Sequence, residues 1–227
     1  MKNENILKLI KGKLIVSCQA LEEEPLHSPY IMSKMAVAAM QGGASGIRSN
    51  SYEDIKAIKN IVDLPIIGLV KRIYSDSEIY ITPTVKEVDE IISAGADILA
   101  MDATSRLRPN GVTLEEFYGE IRERYKDIII MADISNYEEG VEAEKLGFDI
   151  VGTTLCGYTS YTEGTELPNY DLIGRLVKKL KIPVIAEGGI CYPDQLKKVI
   201  NMGIFSAVVG TAITRPMDIT KRFVSVI

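Results

Sequence analysis

Four glycines, Gly43, Gly95, Gly147 and Gly203, recur along this chain at separations of 52, 52 and 56 residues. Each ends a segment of helical period and is followed at once by a strand-like run, as Gly43-Ala-Ser, Gly95-Ala-Asp, Gly147-Phe-Asp and Gly203-Ile-Phe. A glycine just past a helix end takes the left-handed conformation that stops the helix, so the repeat marks the entry to every second strand. Each period holds two strand-helix units, which makes eight in all.

The strand-like runs are Lys13–Cys18, Ser45–Arg48, Ile66–Val70, Asp97–Met101, Ile128–Asp133, Asp149–Thr153, Pro183–Glu187 and Ser206–Gly210. Helix-period segments fall between them near Pro29–Gln41, Tyr52–Ile61, Val85–Ser93, Thr113–Arg124, Tyr137–Lys145, Tyr170–Leu180 and Pro193–Asn201, with a last one from Asp218. Local signals agree: Thr84-x-x-Glu87 reads as a capping box, and Leu64-Pro65 and Ile182-Pro183 introduce odd strands. Strict alternation implies a parallel sheet, and near-continuous apolar strands imply burial on both faces. A fourfold period favours a closed (β/α)8 TIM barrel over an open doubly wound sheet. At 227 residues the chain fits one such barrel, with 1–227 forming a single domain.

Composition narrows the partners. Apolar residues are 46% and charged residues 25%, an ordinary globular balance, and no 18-residue apolar span suggests a membrane helix. The stretch from Met1 to Lys13 carries lysines throughout and no apolar signal core, so a cytoplasmic location is expected. A net charge of −5 gives no basic footprint for nucleic acid. Cys18, Cys156 and Cys191 are far apart and lack C-x-x-C spacing, which indicates neither a disulfide framework nor a zinc site and favours small buried thiols. The single His27 has no metal or catalytic partner in the pattern and reads as a loop residue shaping a pocket edge.

In a barrel the carboxyl ends of the strands carry the chemistry. Side chains alternate along a strand, so each odd strand offers one terminal residue on the face of its inward apolar neighbours. These are Gln19, Lys71, Asp133 and Glu187, above Ile15, Leu69, Met131 and Ile185. Even strands add Arg48, Asp102 and Thr154. A structural ion network is the alternative reading of such a layer. The seventh and eighth strands end in Gly188-Gly189 and Gly210-Thr211, with Arg215 just beyond. Loops there commonly hold a phosphate through main-chain N–H groups. The third and seventh strands lie across the barrel from each other. Lys71 and Glu187 are therefore expected to hydrogen-bond near the axis, or to be separated by one small ligand.

The segments Ser17-Cys-Gln-Ala20, Glu24-Pro-Leu-His27, Gly68-Leu-Val-Lys71-Arg72, Ile79-Tyr-Ile-Thr-Pro-Thr84, Asp102-Ala-Thr-Ser-Arg-Leu-Arg-Pro109, Met131-Ala-Asp-Ile-Ser135 and Gly210-Thr-Ala-Ile-Thr-Arg-Pro216 together resemble the N-acetylmannosamine-6-phosphate 2-epimerase family of sialic acid salvage. The resemblance spans nearly the whole chain. One departure is Gly189, where an arginine can follow Glu187-Gly188 in the family; this puts more weight on Arg215.

The resemblance implies cofactor-independent inversion at C2 of a 2-acetamido sugar 6-phosphate, with Lys71 as proton acceptor and donor and Glu187 as its partner. It also implies that Arg48 and Asp133 contact the substrate, and that the protein is a homodimer. Gln19 is a further ligand candidate. A free lysine, with pKa about 10.4, is a poor base at neutral pH; crowding by Arg72 and enclosure in the mouth would lower it. A Schiff-base lyase or aldolase on a phosphorylated sugar uses a similar lysine and is the enzymatic alternative. A sugar-phosphate-binding regulatory barrel without turnover is the other.

Overall fold

The computed structural model describes residues 2–227. Its eight strands are β1 (Leu14–Cys18), β2 (Gly46–Asn50), β3 (Ile66–Leu69), β4 (Ile98–Asp102), β5 (Ile129–Asp133), β6 (Ile150–Gly152), β7 (Val184–Glu187) and β8 (Ser206–Val209). They pair in sequence order, all parallel, and β8 returns to β1, closing a (β/α)8 barrel. Around it lie α2 (Pro29–Gln41), α3 (Tyr52–Lys59), α4 (Val85–Ala94), α5 (Leu114–Arg124), α6 (Tyr137–Leu146), α7 (Tyr170–Lys179) and α8 (Pro193–Asn201). A short α9 (Thr211–Thr214) and α10 (Pro216–Val224) end the chain.

The periodic glycines do what the repeat implies. Gly43, Gly95, Gly147 and Gly203 have φ of 97, 93, 99 and 89°, left-handed in every case. The α4 start is also as read: the Thr84 N–H and hydroxyl both donate to Glu87 Oε2, at 2.8 and 2.6 Å. Alternation along the strands splits the core into two shells. Ile15, Ile67, Leu69, Met131, Ile185 and Val208 fill the barrel interior, while Ile47, Ile66, Leu99 and Ile130 pack outward beneath the helices.

Several bounds shift by a residue or two from the sequence reading, and three differences matter for the barrel ends. An amino-terminal helix, α1 (Lys2–Ile10), precedes the first strand. Its Ile6 and Ile10 join the interior shell, and Asn3 Nδ2 donates to Asp127 O at 2.7 Å, so it plugs the amino end of the barrel. The second strand runs on to Asn50, which pairs with Leu69, so Arg48 sits in mid-strand rather than at its end. The last helix starts at Pro216, two residues before Asp218; proline, with no N–H to satisfy, suits a first helical position. Among the described residues, no helix is long and apolar enough to cross a membrane.

Candidate active site

The carboxyl mouth of the barrel holds a cavity of about 320 Å³. Gln19, Arg48, Lys71, Glu187, Gly188, Gly189, Gly210, Thr211 and Arg215 all line it. Asp133 does not; it lies beneath, fully buried, and receives both Arg48 Nη atoms, at 3.2 and 2.6 Å. Thr154 closes the floor: its Oγ1 lies 2.6 Å from Asp133 Oδ1 and 3.1 Å from Glu187 Oε2, and its one proton is shared between them.

Lys71 and Glu187 do not meet. Glu187 Oε2 turns instead to Arg48 Nη1 at 3.3 Å. The reason is local: Arg48, in mid-strand on β2, is long enough to reach the axis, and two carboxylates converge on its guanidinium. That arrangement satisfies a bidentate fork that a lysine cannot offer. Lys71 is fixed by its main chain, whose N–H donates to Asn50 Oδ1 at 2.7 Å, while its amine makes no hydrogen bond among the described residues.

The electrostatics follow from this placement. Burial, then the Arg48 charge, pulls the Lys71 amine below the usual lysine range; Arg215 adds to this, and Glu187 and Glu24 oppose it. Burial raises the Glu187 carboxyl above the usual range and Asp133 adds to that, against Arg48, Thr154 and Lys71. Both groups are thus pushed toward their neutral forms. Arg72 has no part in this, contrary to the sequence reading. It turns outward to Glu90 Oε2 at 3.0 Å and to the buried Glu87, so its charge is spent on anchoring the loop after β3.

The residues at the β7 and β8 ends come together on one side of the cavity. Gly188 and Gly189 have φ of 105 and 70°, and a Cβ on Gly189 would lie 2.3 Å from Leu167 Cβ. Arg215 is held side-on by Glu24, with Nε donating to Oε2 at 2.9 Å and Nη2 to Oε1. Asp218 lies 3.4 Å from the same Nε.

Other assignments resolve differently. Ser17, not Gln19, sits directly above Ile15; Gln19 is one pleat further on and donates from Nε2 to Ser17 Oγ at 2.8 Å. Asp102 stays out of the cavity, held by Thr104 and by Arg106 at 2.6 Å. Cys18 is fully buried, with its thiol pushed up to about 12 by burial and then by Asp54, as suits an inert core thiol; Cys156 is buried too, whereas Cys191 lines the cavity. His27 Nδ1 lies 3.1 Å from Ala20 O, away from the cavity lining.

Glu24, Tyr80 and Tyr158 line the cavity from loops that strand alternation does not reach. A sequence signal existed for the first two, since both lie inside segments that resemble the family. Among the described residues, no group of three or more His, Cys, Asp and Glu is placed to hold a metal ion.

A closed barrel whose carboxyl mouth gathers titratable groups around one cavity defines a (β/α)8 barrel enzyme. The family described as "Putative N-acetylmannosamine-6-phosphate epimerase" matches residues 32–227, and the chain belongs to it. Similar proteins given the 2-epimerase form of that name occur in Caldanaerobacter subterraneus subsp. tengcongensis and Clostridioides difficile. Each is 56% identical, covering 98% of this chain and 94% and 99% of the relative. The solved N-acetylmannosamine-6-phosphate 2-epimerase of Clostridium perfringens superposes with a TM-score of 0.93 at 54% identity, over 97% of this chain and 96% of that one.

Proposed function

We propose that this enzyme interconverts N-acetylmannosamine 6-phosphate and N-acetylglucosamine 6-phosphate by removing and returning the C2 proton of the open-chain sugar. The observation that carries the reading is the Lys71 amine, unpaired at the cavity wall and held toward its neutral form. A positioned base of this kind typically contributes 10²–10⁴-fold in rate. The C2 proton is acidified by the neighbouring C1 aldehyde, so its loss to Lys71 leaves an enolate. Glu187, raised toward its neutral form on the far side of the mouth, is Lys71's partner in returning a proton. Arg48, held from beneath by Asp133, forms the floor against which the sugar hydroxyls rest, and Gln19 reaches them from just past β1.

The 6-phosphate sits at the β7 and β8 ends, on main-chain N–H groups of Gly188, Gly189, Gly210 and Thr211, with Arg215 supplying charge. The protein works as a cytoplasmic homodimer on a free sugar phosphate. Support for self-association is the exposed apolar carboxyl end, where Phe223 is 73% and Val226 80% accessible. Light scattering at micromolar concentration checks the dimer, and a monomer contradicts it. For the reaction, proton NMR of N-acetylmannosamine 6-phosphate in D₂O should show product formation with deuterium at C2. Cleavage products, or inactivation by borohydride with substrate, would instead support the Schiff-base lyase.

A further inference from the structure

Tyr80 belongs to a segment whose role the acid-base reading leaves open. It lies on the loop that folds back from β3, where the Arg72 N–H donates to Tyr80 O at 2.9 Å and Thr82 N–H to Val70 O at 2.8 Å. Lys71 and Ile81 form an antiparallel bridge in the same turn. Tyr80 is thus tied by main chain to the segment that carries the base, and the Arg72–Glu90 pair anchors that segment from outside. The Tyr80 ring packs on the barrel-interior shell and lines the cavity. Among the described residues, no group hydrogen-bonds its hydroxyl.

The guanidinium donors on this side of the mouth are committed, apart from Arg48 Nε, which is buried without a partner. Both Nη atoms of Arg48 serve Asp133, and Nη1 also faces Glu187. Arg106 serves Asp102 and Thr104. Burial, then Asp102, keeps the Tyr80 phenol protonated; Arg106 opposes this and Asp133 adds to it. It is therefore a neutral O–H donor rather than a base. Geometry fixes what it would face. β3 and β4 lie opposite β7 and β8 in the closed barrel, so an extended sugar held by its 6-phosphate at β7 and β8 brings C1 and C2 to the side of Lys71 and Tyr80.

We propose that Tyr80 is a further catalytic residue of this reaction, its hydroxyl donating a hydrogen bond to the C1 oxygen as negative charge develops there. This rests on the epimerase reading. The C2–H bond breaks, its proton goes to the Lys71 amine, and its electron pair forms the C1=C2 bond. The C1=O π pair moves to the oxygen, which Tyr80 stabilises while keeping its own proton. Protonation at the opposite face of C2 reverses the flow. Removing one such donor costs roughly 10²–10³-fold in kcat in comparable sites.

Tyr80→Phe keeps the packed ring and removes only the hydroxyl, so melting temperature and circular dichroism should match the parent. The expected result is a fall of about 100-fold in both kcat and the rate of C2 exchange in D₂O. KM for N-acetylmannosamine 6-phosphate and inhibition by inorganic phosphate should stay within about threefold. An unchanged kcat overturns the assignment, as does a rise in KM alone, which would mark a ground-state contact. So does the same kcat loss in Tyr158→Phe with none in Tyr80→Phe. Failure of the parent protein itself to exchange or epimerise would instead strike the epimerase reading first, and the assignment with it.

Discussion

Glu187 Oε2 lies 3.3 Å from Arg48 Nη1, and it is this contact, not one with Lys71, that spans the cavity floor. The carboxylate that would otherwise hold Lys71 as an ammonium is engaged by a guanidinium, and that guanidinium repels the ammonium in turn. Both consequences favour a neutral amine.

Arg48→Met should therefore move the acid limb of the kcat/KM pH profile to higher pH. Without that cation, only Arg215 still opposes Glu187 and Glu24 at Lys71, so its pKa rises and less free base exists at pH 7. Loss of one partner from this buried group also costs about 3–5 kcal/mol in stability, and the profile should be read below the variant's melting temperature. An unmoved limb would mean that Arg48 does not set the protonation of the base.

Lys71 itself should be a burden on the fold. Its folded-state pKa lies below the ordinary value of 10.5, so the fold binds fewer protons than the unfolded chain between the two values. Stability from this group consequently rises with pH through that window, and the penalty is fully present below it. Lys71→Met should melt higher than the parent at pH 7, with the gap shrinking toward pH 10, as followed by calorimetry. A variant that melts lower at pH 7 contradicts the placement.

Arg215→Ala should raise KM by about 10- to 100-fold, the range expected for a hydrogen bond to a charged group, and leave kcat within about threefold. Glu24→Gln should act in the same direction but less, because Glu24 holds the guanidinium side-on. Steady-state kinetics separate the two constants. A fall in kcat at constant KM would place the phosphate elsewhere.

Gly189 sits where only glycine fits, at the turn after β7 proposed to hold the phosphate. Its φ of 70° and the Leu167 Cβ only 2.3 Å from a built Cβ leave no room for a side chain. Gly189→Ala should weaken inhibition by inorganic phosphate about tenfold through displacement of the loop N–H groups. Unchanged inhibition would remove this turn from the phosphate site.

The strands and their order are legible because the parallel barrel writes them twice, as apolar runs and as glycines at fixed period. α1 is less so: Ile6 and Ile10 are four apart, a single helical contact, in a segment too short for periodicity to settle. The lining positions Lys71, Glu187, Gly188, Gly210 and Arg215 follow from strand alternation and strand ends. What alternation cannot supply is choice of partner. Arg48, Lys71, Asp133 and Glu187 share one layer region, and only side-chain reach decides that the carboxylates converge on Arg48. Glu24 and Tyr80 enter from loops, whose path depends on tertiary ties such as Glu24 to Arg215 and Arg72 to Glu90.

The proposed reaction turns on Lys71 moving the C2 proton. Proton NMR of N-acetylmannosamine 6-phosphate in D₂O, run with the parent protein and with Lys71→Ala at equal concentration, reads this directly. Deuterium at C2 and the epimeric product are expected with the parent. With the variant neither is expected, or at a rate at least 100-fold lower, while sugar-phosphate binding persists. Exchange at C2 by Lys71→Ala near the parental rate would contradict this role and assign the proton to another residue.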